Sequence, residues 1–241
     1  MAAIVSISDV YKDYHLDKVV VPALRGITLD VHHGEFISIA GPSGSGKTTL
    51  LNLIGCVDTA TRGVVSVAGQ DTGKLPESKL TDLRLNTIGF IFQSFNLVAV
   101  LDVFQNVEFP LLLQGKLSAA ERRKRVMGLL EQVGLANHAR HRPSELSGGQ
   151  RQRVAVARAL VTQPQIVLAD EPTANLDSTT GQNIIDLMRE LNQKQGTTFI
   201  FSTHDPKVMK HAQAVVMIAD GRITGRTTPE AAALHAAGGA H

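Results

Sequence analysis

Tryptophan is absent from this 241-residue chain, cysteine occurs once, at Cys56, and only two tyrosines, Tyr11 and Tyr14, are present. A single cysteine excludes an internal disulfide and a cysteine-rich zinc site, which suits a reducing compartment. Long hydrophobic runs are missing too: nothing approaches the roughly 18 to 20 consecutive apolar residues that a membrane helix needs. The opening Met1-Ala2-Ala3-Ile4 has no basic region followed by an apolar stretch, so the expectation is a cytoplasmic, non-exported chain. An excess of one charge is also lacking, since a formal net charge of +2 does not provide the basic face that nucleic acid requires. No internal repeat is found, so the chain holds one copy of its unit.

What is present is a globular composition, 43% hydrophobic and 19% charged, enough for one unit or two closely packed lobes with a sizeable core. Apolar or alternating stretches predict strands at Ile4 to Val10, Ile27 to Val31, Phe36 to Ala40, Gly63 to Val67 and Ile88 to Phe92, with a helix over Thr48 to Cys56. From about Asp102 to Val161 the pattern turns helical, and Val126, Leu129, Leu130 and Val133 face away from the charges of their helix. Strands at Ile166 to Ala169, Thr198 to Ser202 and Ala214 to Ile218 follow, with a helix over Thr179 to Gln193. This βα order implies a largely parallel, covered sheet. Ser118 and Glu121 have capping-box spacing, and Arg122-Arg123-Lys124-Arg125 behind them reads as a solvated face or a contact for lipid headgroups or an acidic partner. Thr228-Pro229-Glu230 starts a short helix, and His235 and His241 read as tail residues.

Gly41-Pro42-Ser43-Gly44-Ser45-Gly46-Lys47-Thr48 matches the P-loop pattern between a strand and a helix. Its glycines let backbone N–H groups converge on phosphate, and the following helix directs its positive end there. Lys47 is placed for the β- and γ-phosphates and Thr48 for Mg²⁺. Ile166 to Glu171 is an apolar strand ending in two carboxylates. Asp170 is the expected Mg²⁺ partner and Glu171 the group that orients or deprotonates the attacking water. Leu146-Ser147-Gly148-Gly149-Gln150 precedes an apolar-periodic segment, so Ser147 caps a second helix aimed at an anion. One compact chain cannot easily close both helix ends on one nucleotide, which suggests a dimer.

With these motifs the sequence resembles the ATP-binding subunits of ABC transporters over nearly its whole length. The resemblance implies an α/β fold: a P-loop NTPase core with a largely parallel sheet, an N-terminal antiparallel β subdomain and an inserted α-helical subdomain. It places the core at about 1–93 and 163–226, the helical subdomain at about 94–162, and a short helix and tail at 227–241. ATP and Mg²⁺ are the implied cofactors. Tyr14 is similar to the aromatic residue that stacks on adenine, with Tyr11 as the alternative. Gly41, Ser43, Gly44, Ser45, Gly46, Lys47, Thr48 and Thr49 are the implied phosphate contacts, and Gln93 resembles the glutamine joining Mg²⁺ and water to the transporter contact. Ser147, Gly149 and Gln150 belong to the signature, Ala174-Asn175-Leu176-Asp177 is similar to the loop crossing the dimer interface, and His204 looks like the histidine that touches the γ-phosphate. Thr48-Thr49 replaces the commoner Ser-Thr pair, and Ala174 stands where Ser or Gly is more usual.

Stretches such as Asn52 to Asp58, Gly89 to Gln93 and Leu168 to Thr173 look like the macrolide-export, lipoprotein-release and cell-division ATPases. The resemblance implies a homodimer with shared ATP sites, peripheral on the cytoplasmic face of a bacterial inner membrane, driving a permease on a separate chain. Phe95 and Leu97 are the expected permease contacts. The alternative is a non-transport ABC ATPase, such as a cell-division regulator with a membrane partner. A DNA-repair ATPase would need a long coiled coil between Lys47 and Leu146, and a translation factor would need two ATPase domains.

Overall fold

The computed structural model describes residues 3–17 and 19–232; His235, His241 and the remainder of the expected tail lie outside them. Two sheets organise the chain. The first has the order β2-β1-β4-β5 and consists of β1 (Ala3–Leu16), β2 (Val19–His32), β4 (Arg62–Val67) and the short β5 (Gln70–Asp71), with antiparallel pairing throughout. The second has the order β10-β9-β3-β8-β7-β6. Here β3 (Phe36–Ala40), β6 (Ile88–Ile91), β7 (Ile166–Ala169), β8 (Thr198–Thr203) and β9 (Ala214–Ala219) run parallel, and β10 (Arg222–Thr227) pairs antiparallel on the edge.

Side-chain alternation along these central strands divides the core in two. Phe36 of β3, Val167 and Ala169 of β7, and Phe199 and Phe201 of β8 face one apolar cluster with the helices beyond β6. Their neighbours Ile37, Ile39, Ile166, Leu168 and Ile200 face the antiparallel sheet and α1 (Lys47–Ile54). The central strands are therefore buried on both faces, which is why they read as continuous apolar runs.

Three further helices occupy the stretch between β6 and β7: α3 (Val103–Gln114), α4 (Ala119–Gln132) and α5 (Gly148–Leu160). Each begins with a capping box, Asp102 with Gln105, Ser118 with Glu121, and Ser147 with Gln150. Such an N-cap contributes typically about 1 kcal/mol by satisfying amides that the helix leaves free. Arg122 is not simply solvated: its Nε donates to Glu108 Oε1 of α3 at 2.8 Å. Further helices are α2 (Glu77–Thr87) before β6, the long α6 (Ser178–Gln195) and the single turn α7 (Pro206–Met209), and residues 229–232 are helical where the sequence placed a short helix start, the Ala232 amide donating to the Thr228 carbonyl at 3.0 Å. Among the described residues no helix is long and apolar enough to cross a membrane.

The sequence did not reveal α2 or β10. Leu80 and Leu83 are the buried leucines of α2, too few to mark a stripe along its eleven residues, and β10 alternates with polar residues as an edge strand does.

Candidate functional site

Because β3, β6, β7 and β8 run parallel, their carboxyl ends meet at one edge of the sheet, where ligands of open α/β folds bind. Register then decides which side chains meet. Ala40 pairs with Thr203, so Gly41 and His204 emerge side by side. Ala169 pairs with Phe201, so Asp170 stands level with Ser202, and Ile91 pairs with Ala169, bringing Gln93 to the same rim.

A cleft of about 610 Å³ opens there, lined by Ser43, Gly44, Gly46, Lys47, Thr48, Thr49, Gln93, Asp170, Glu171 and His204. Gly41 and Ser45 form the loop beneath rather than its wall: the Gly41 carbonyl accepts from Lys47 Nζ at 2.9 Å, and Ser45 is buried. Gly46 holds φ +104 at the start of α1 and supplies no side-chain cap. A side chain there would be strained, and the first amides of α1 are left facing the cleft for an anion.

Acidic groups stand opposite. Thr48 Oγ1 donates to Asp170 Oδ2 at 2.9 Å. Ser202 Oγ donates to Asp170 Oδ1 at 2.6 Å and accepts from the Glu171 amide at 2.9 Å. Glu171 has φ +46, a left-handed conformation of the kind that clusters at functional sites. Its carboxylate lies 3.7 Å from Lys47 Nζ and 3.0 Å from His204 Nδ1. An adjacent hydroxyl and carboxylate form a donor set that suits Mg²⁺, which takes few protein ligands and completes its shell with phosphates and water.

Not every expected residue lines this cleft. Ser147, Gly149 and Gln150 sit at the start of α5, where Gln150 Oε1 accepts from the Ser147 amide at 2.9 Å. Asp177 caps α6, accepting from the Thr180 amide at 3.0 Å, and hydrogen bonds from the Thr180 side chain and then its amide hold the carboxyl below the usual carboxylate range. The two helix starts form one surface: a side chain at Gly149 would collide with the Thr180 methyl, and Gly148 faces Leu176. The loop is also tied to the rim, because Asn175 Nδ2 donates to the Gln93 carbonyl at 2.9 Å.

The tyrosines part ways. Tyr14 pairs across the strands with Val21, and Val21, Pro22 and Ala23 line the cleft, a contribution from β2 that the sequence did not signal. Tyr11 packs over Gly26 with the Arg62 guanidinium 4.4 Å from its ring centroid.

Two other hollows differ in character. A larger cleft of about 740 Å³ beside α4 has Glu121, Lys124 and Arg125 as its only charged lining residues and none of the phosphate-loop groups, so size does not identify the site. A groove of about 570 Å³ is lined by Phe90, Phe92, Pro110, Leu113 and Arg158 among others, and Phe92 and Leu113 are exposed. Leu97, expected at such a surface, is instead partly buried against the helical core, and Phe95 is half-buried under Arg151.

A strand, phosphate loop and helix facing an acidic strand end define a P-loop nucleoside triphosphatase. The sequence pattern of the family described as ABC transporter matches residues 24–174. An uncharacterized ABC transporter ATP-binding protein of Thermotoga maritima is 45% identical over 93% of this chain and 95% of its own length. The macrolide export ATP-binding/permease protein of Brucella melitensis is 45% identical over 94% of this chain but 35% of its own length. The dimeric ATP-binding cassette MJ0796, in a post-hydrolysis state bound to ADP and Pi, superposes with TM-score 0.86 at 42% identity, covering 93% of this chain and 98% of that one. The chain belongs to the ABC transporter family as an ATPase cassette, and the expected fold is the one observed.

Proposed function

We propose that the chain binds Mg-ATP in the 610 Å³ cleft, closes on it as a dimer, and drives a permease on a separate chain at the cytoplasmic face of a bacterial membrane. The observation that carries this reading is the hydrogen-bonded line Thr48, Asp170, Ser202, Glu171, opposite the free amides of α1. In it, Gly41 to Thr49 hold the phosphates, with Lys47 turning from the Gly41 and Pro42 carbonyls to the β- and γ-oxygens. Thr48, Asp170 and Gln93 would hold Mg²⁺, which when bound neutralises phosphate charge. Glu171 accepts the proton of the attacking water, and His204 orients that carboxylate and reaches the γ-phosphate.

Residues that miss the cleft support dimerisation. Ser147 accepts from the Gln150 amide and keeps its own O–H to donate, so Ser147, Gly149 and Gln150 are available to cover the phosphates of a second copy, with Asp177 and its loop at the interface. The MJ0796 cassette is described as dimeric, which supports this arrangement. For a separate permease, support comes from relatives matched over nearly their full length, which are named as ATP-binding proteins. The apolar groove around Phe92 and Leu113 is the surface we assign to the permease.

Glu171→Gln tests the catalytic reading. With Mg-ATP it should accumulate as a dimer in light scattering while turnover falls about 10² to 10⁴-fold. Turnover near that of the unaltered chain would remove Glu171 from the reaction.

A further inference from the structure

The antiparallel sheet is joined to the segment that follows α1 by a set of contacts that the phosphate chemistry does not use; Tyr14 itself does not line the cleft, but its strand partner Val21 does. Tyr14 Oη donates to Asp58 Oδ2 at 2.9 Å, and Lys12 Nζ donates to Asp58 Oδ1 at 2.6 Å and to the Thr59 carbonyl at 2.9 Å. The same Lys12 ammonium lies 4.9 Å from the Tyr14 ring centroid. Backbone stitches continue the seam: the Asp13 amide donates to Thr61 Oγ1 at 3.0 Å and the Thr61 amide to the Tyr11 carbonyl at 2.9 Å.

Asp58 lies four residues beyond the end of α1, the helix that begins at Lys47. It therefore ties the tyrosine to the turn that leaves the far end of the helix whose start faces phosphate. The Lys12 ammonium lies over one face of the ring, so a stacked base would have to take the other. Burial alone pushes the Asp58 carboxyl up, but hydrogen bonds from Lys12, Thr59 and Tyr14 outweigh it and hold the group below the usual carboxylate range. Burial and the bond to Asp58 push the Tyr14 hydroxyl up, while the neighbouring Thr49 hydroxyl pulls it down.

We infer that Asp58 is a positioning residue for the nucleotide base: with Lys12 it fixes the plane of Tyr14, and so selects a base-bearing triphosphate over a bare phosphate chain. The inference rests on the reading that Tyr14 stacks on the base. A ring free to rotate would have to be ordered at each binding event, weakening the affinity for ATP without touching the phosphate grip.

The test compares dissociation constants for ATP and inorganic tripolyphosphate by calorimetry, with tyrosine emission as a second readout in a chain without tryptophan. Tyr14→Ala should weaken ATP binding about 10 to 100-fold, the range for losing a stacked base. Asp58→Ala and Tyr14→Phe should each weaken it about 3 to 10-fold, the size of one hydrogen bond. Neither should move tripolyphosphate, Asp58→Asn should restore most of the ATP affinity, and the Asp58→Ala/Tyr14→Phe pair should be no worse than either alone. In turnover, Asp58→Ala should raise KM for ATP and leave kcat. Equal loss for both ligands, or additive losses in the pair, would make Asp58 a purely structural group and overturn the proposal while leaving the base platform intact. An unchanged ATP affinity in Tyr14→Ala would overturn the platform itself, and the positioning role with it.

Discussion

His204 Nδ1 lies 3.0 Å from Glu171 Oε1 and 3.1 Å from Oε2, so one imidazole from the end of β8 spans both oxygens of a carboxylate from the end of β7. The contact fixes the direction of the Glu171 carboxylate, whose backbone is already held by Ser202. If His204 aims this group and reaches the γ-phosphate, His204→Ala should lower turnover about 10²-fold, the scale of losing one well-placed donor. ATP affinity should change only a few-fold. Phosphate release and equilibrium binding measured on the same preparation separate these effects, and equal loss in both would assign His204 to binding instead.

Ser202 offers a sharper case because nothing in its sequence context marked it. Its hydroxyl gives a proton to Asp170 and receives one from the Glu171 amide, and the side chain is fully buried. Ser202→Ala leaves the part-buried Glu171 amide without its acceptor and should cost about 1 kcal/mol in urea unfolding. It should also raise the Mg²⁺ concentration needed for half-maximal turnover, because Asp170 loses the partner that orients it. An unaltered Mg²⁺ requirement in a destabilised protein would confine Ser202 to a structural role.

The proposed permease surface separates two leucines. Leu113 is 59% exposed beside the apolar groove, whereas Leu97 packs against the helical core. Leu113→Asp should leave the melting temperature and soluble ATPase unchanged while abolishing co-purification with a membrane partner. Leu97→Asp should instead destabilise the fold, by about 1–3 kcal/mol for a charge placed against apolar neighbours at a half-buried position. Retained co-purification in a folded Leu113→Asp would move the docking surface elsewhere.

Cys56 supplies a pH-linked prediction. Burial pushes its thiol up to about 11 from an ordinary 9.0, against a smaller opposing pull from Arg84. The folded thiol should resist thiol reagents at pH 8 and react only on unfolding. The folded value exceeds the unfolded one, so the linked stability is present below pH 9 and is lost as pH rises through about 11. Cys56→Ala should flatten the fall in stability over that window.

Motifs set within one strand-loop-helix were legible because their chemistry is local: the P-loop between β3 and α1, and the carboxylates ending β7. Ser202 was not, because its meeting with Asp170 depends on the pairing of β7 with β8, which no local pattern encodes. Parity could not separate Tyr11 from Tyr14 either. Register shifts between Val10 and Tyr11 and again between Lys12 and Asp13 break the alternation that would assign faces. Phe95 and Leu97 stay ambiguous for the opposite reason: apolar residues beside a polar sensor look alike whether they face a partner or the core, and both are half-buried.

Sharing of each ATP between two chains yields the most discriminating test. The cleft of one chain is lined by Lys47 but not by Ser147, so a shared site would take the first from one subunit and the second from its partner. Consider Lys47→Ala and Ser147→Arg made in separate chains. Each homodimer has two damaged sites, since every site contains either a defective phosphate grip or a defective signature. A mixed dimer has one site with both defects and one that pairs an intact Lys47 with an intact Ser147. Equal mixing makes about half the dimers mixed, so roughly a quarter of all sites should be intact if the association is isologous. Phosphate release should reappear on mixing, and ATP-dependent dimers should be seen in parallel by light scattering, which covers the case in which turnover demands two intact sites. If each chain completed its own site, no combination could rescue, and the mixture would stay as inactive as its parents. Absence of both signals with folded variants would refute the shared site.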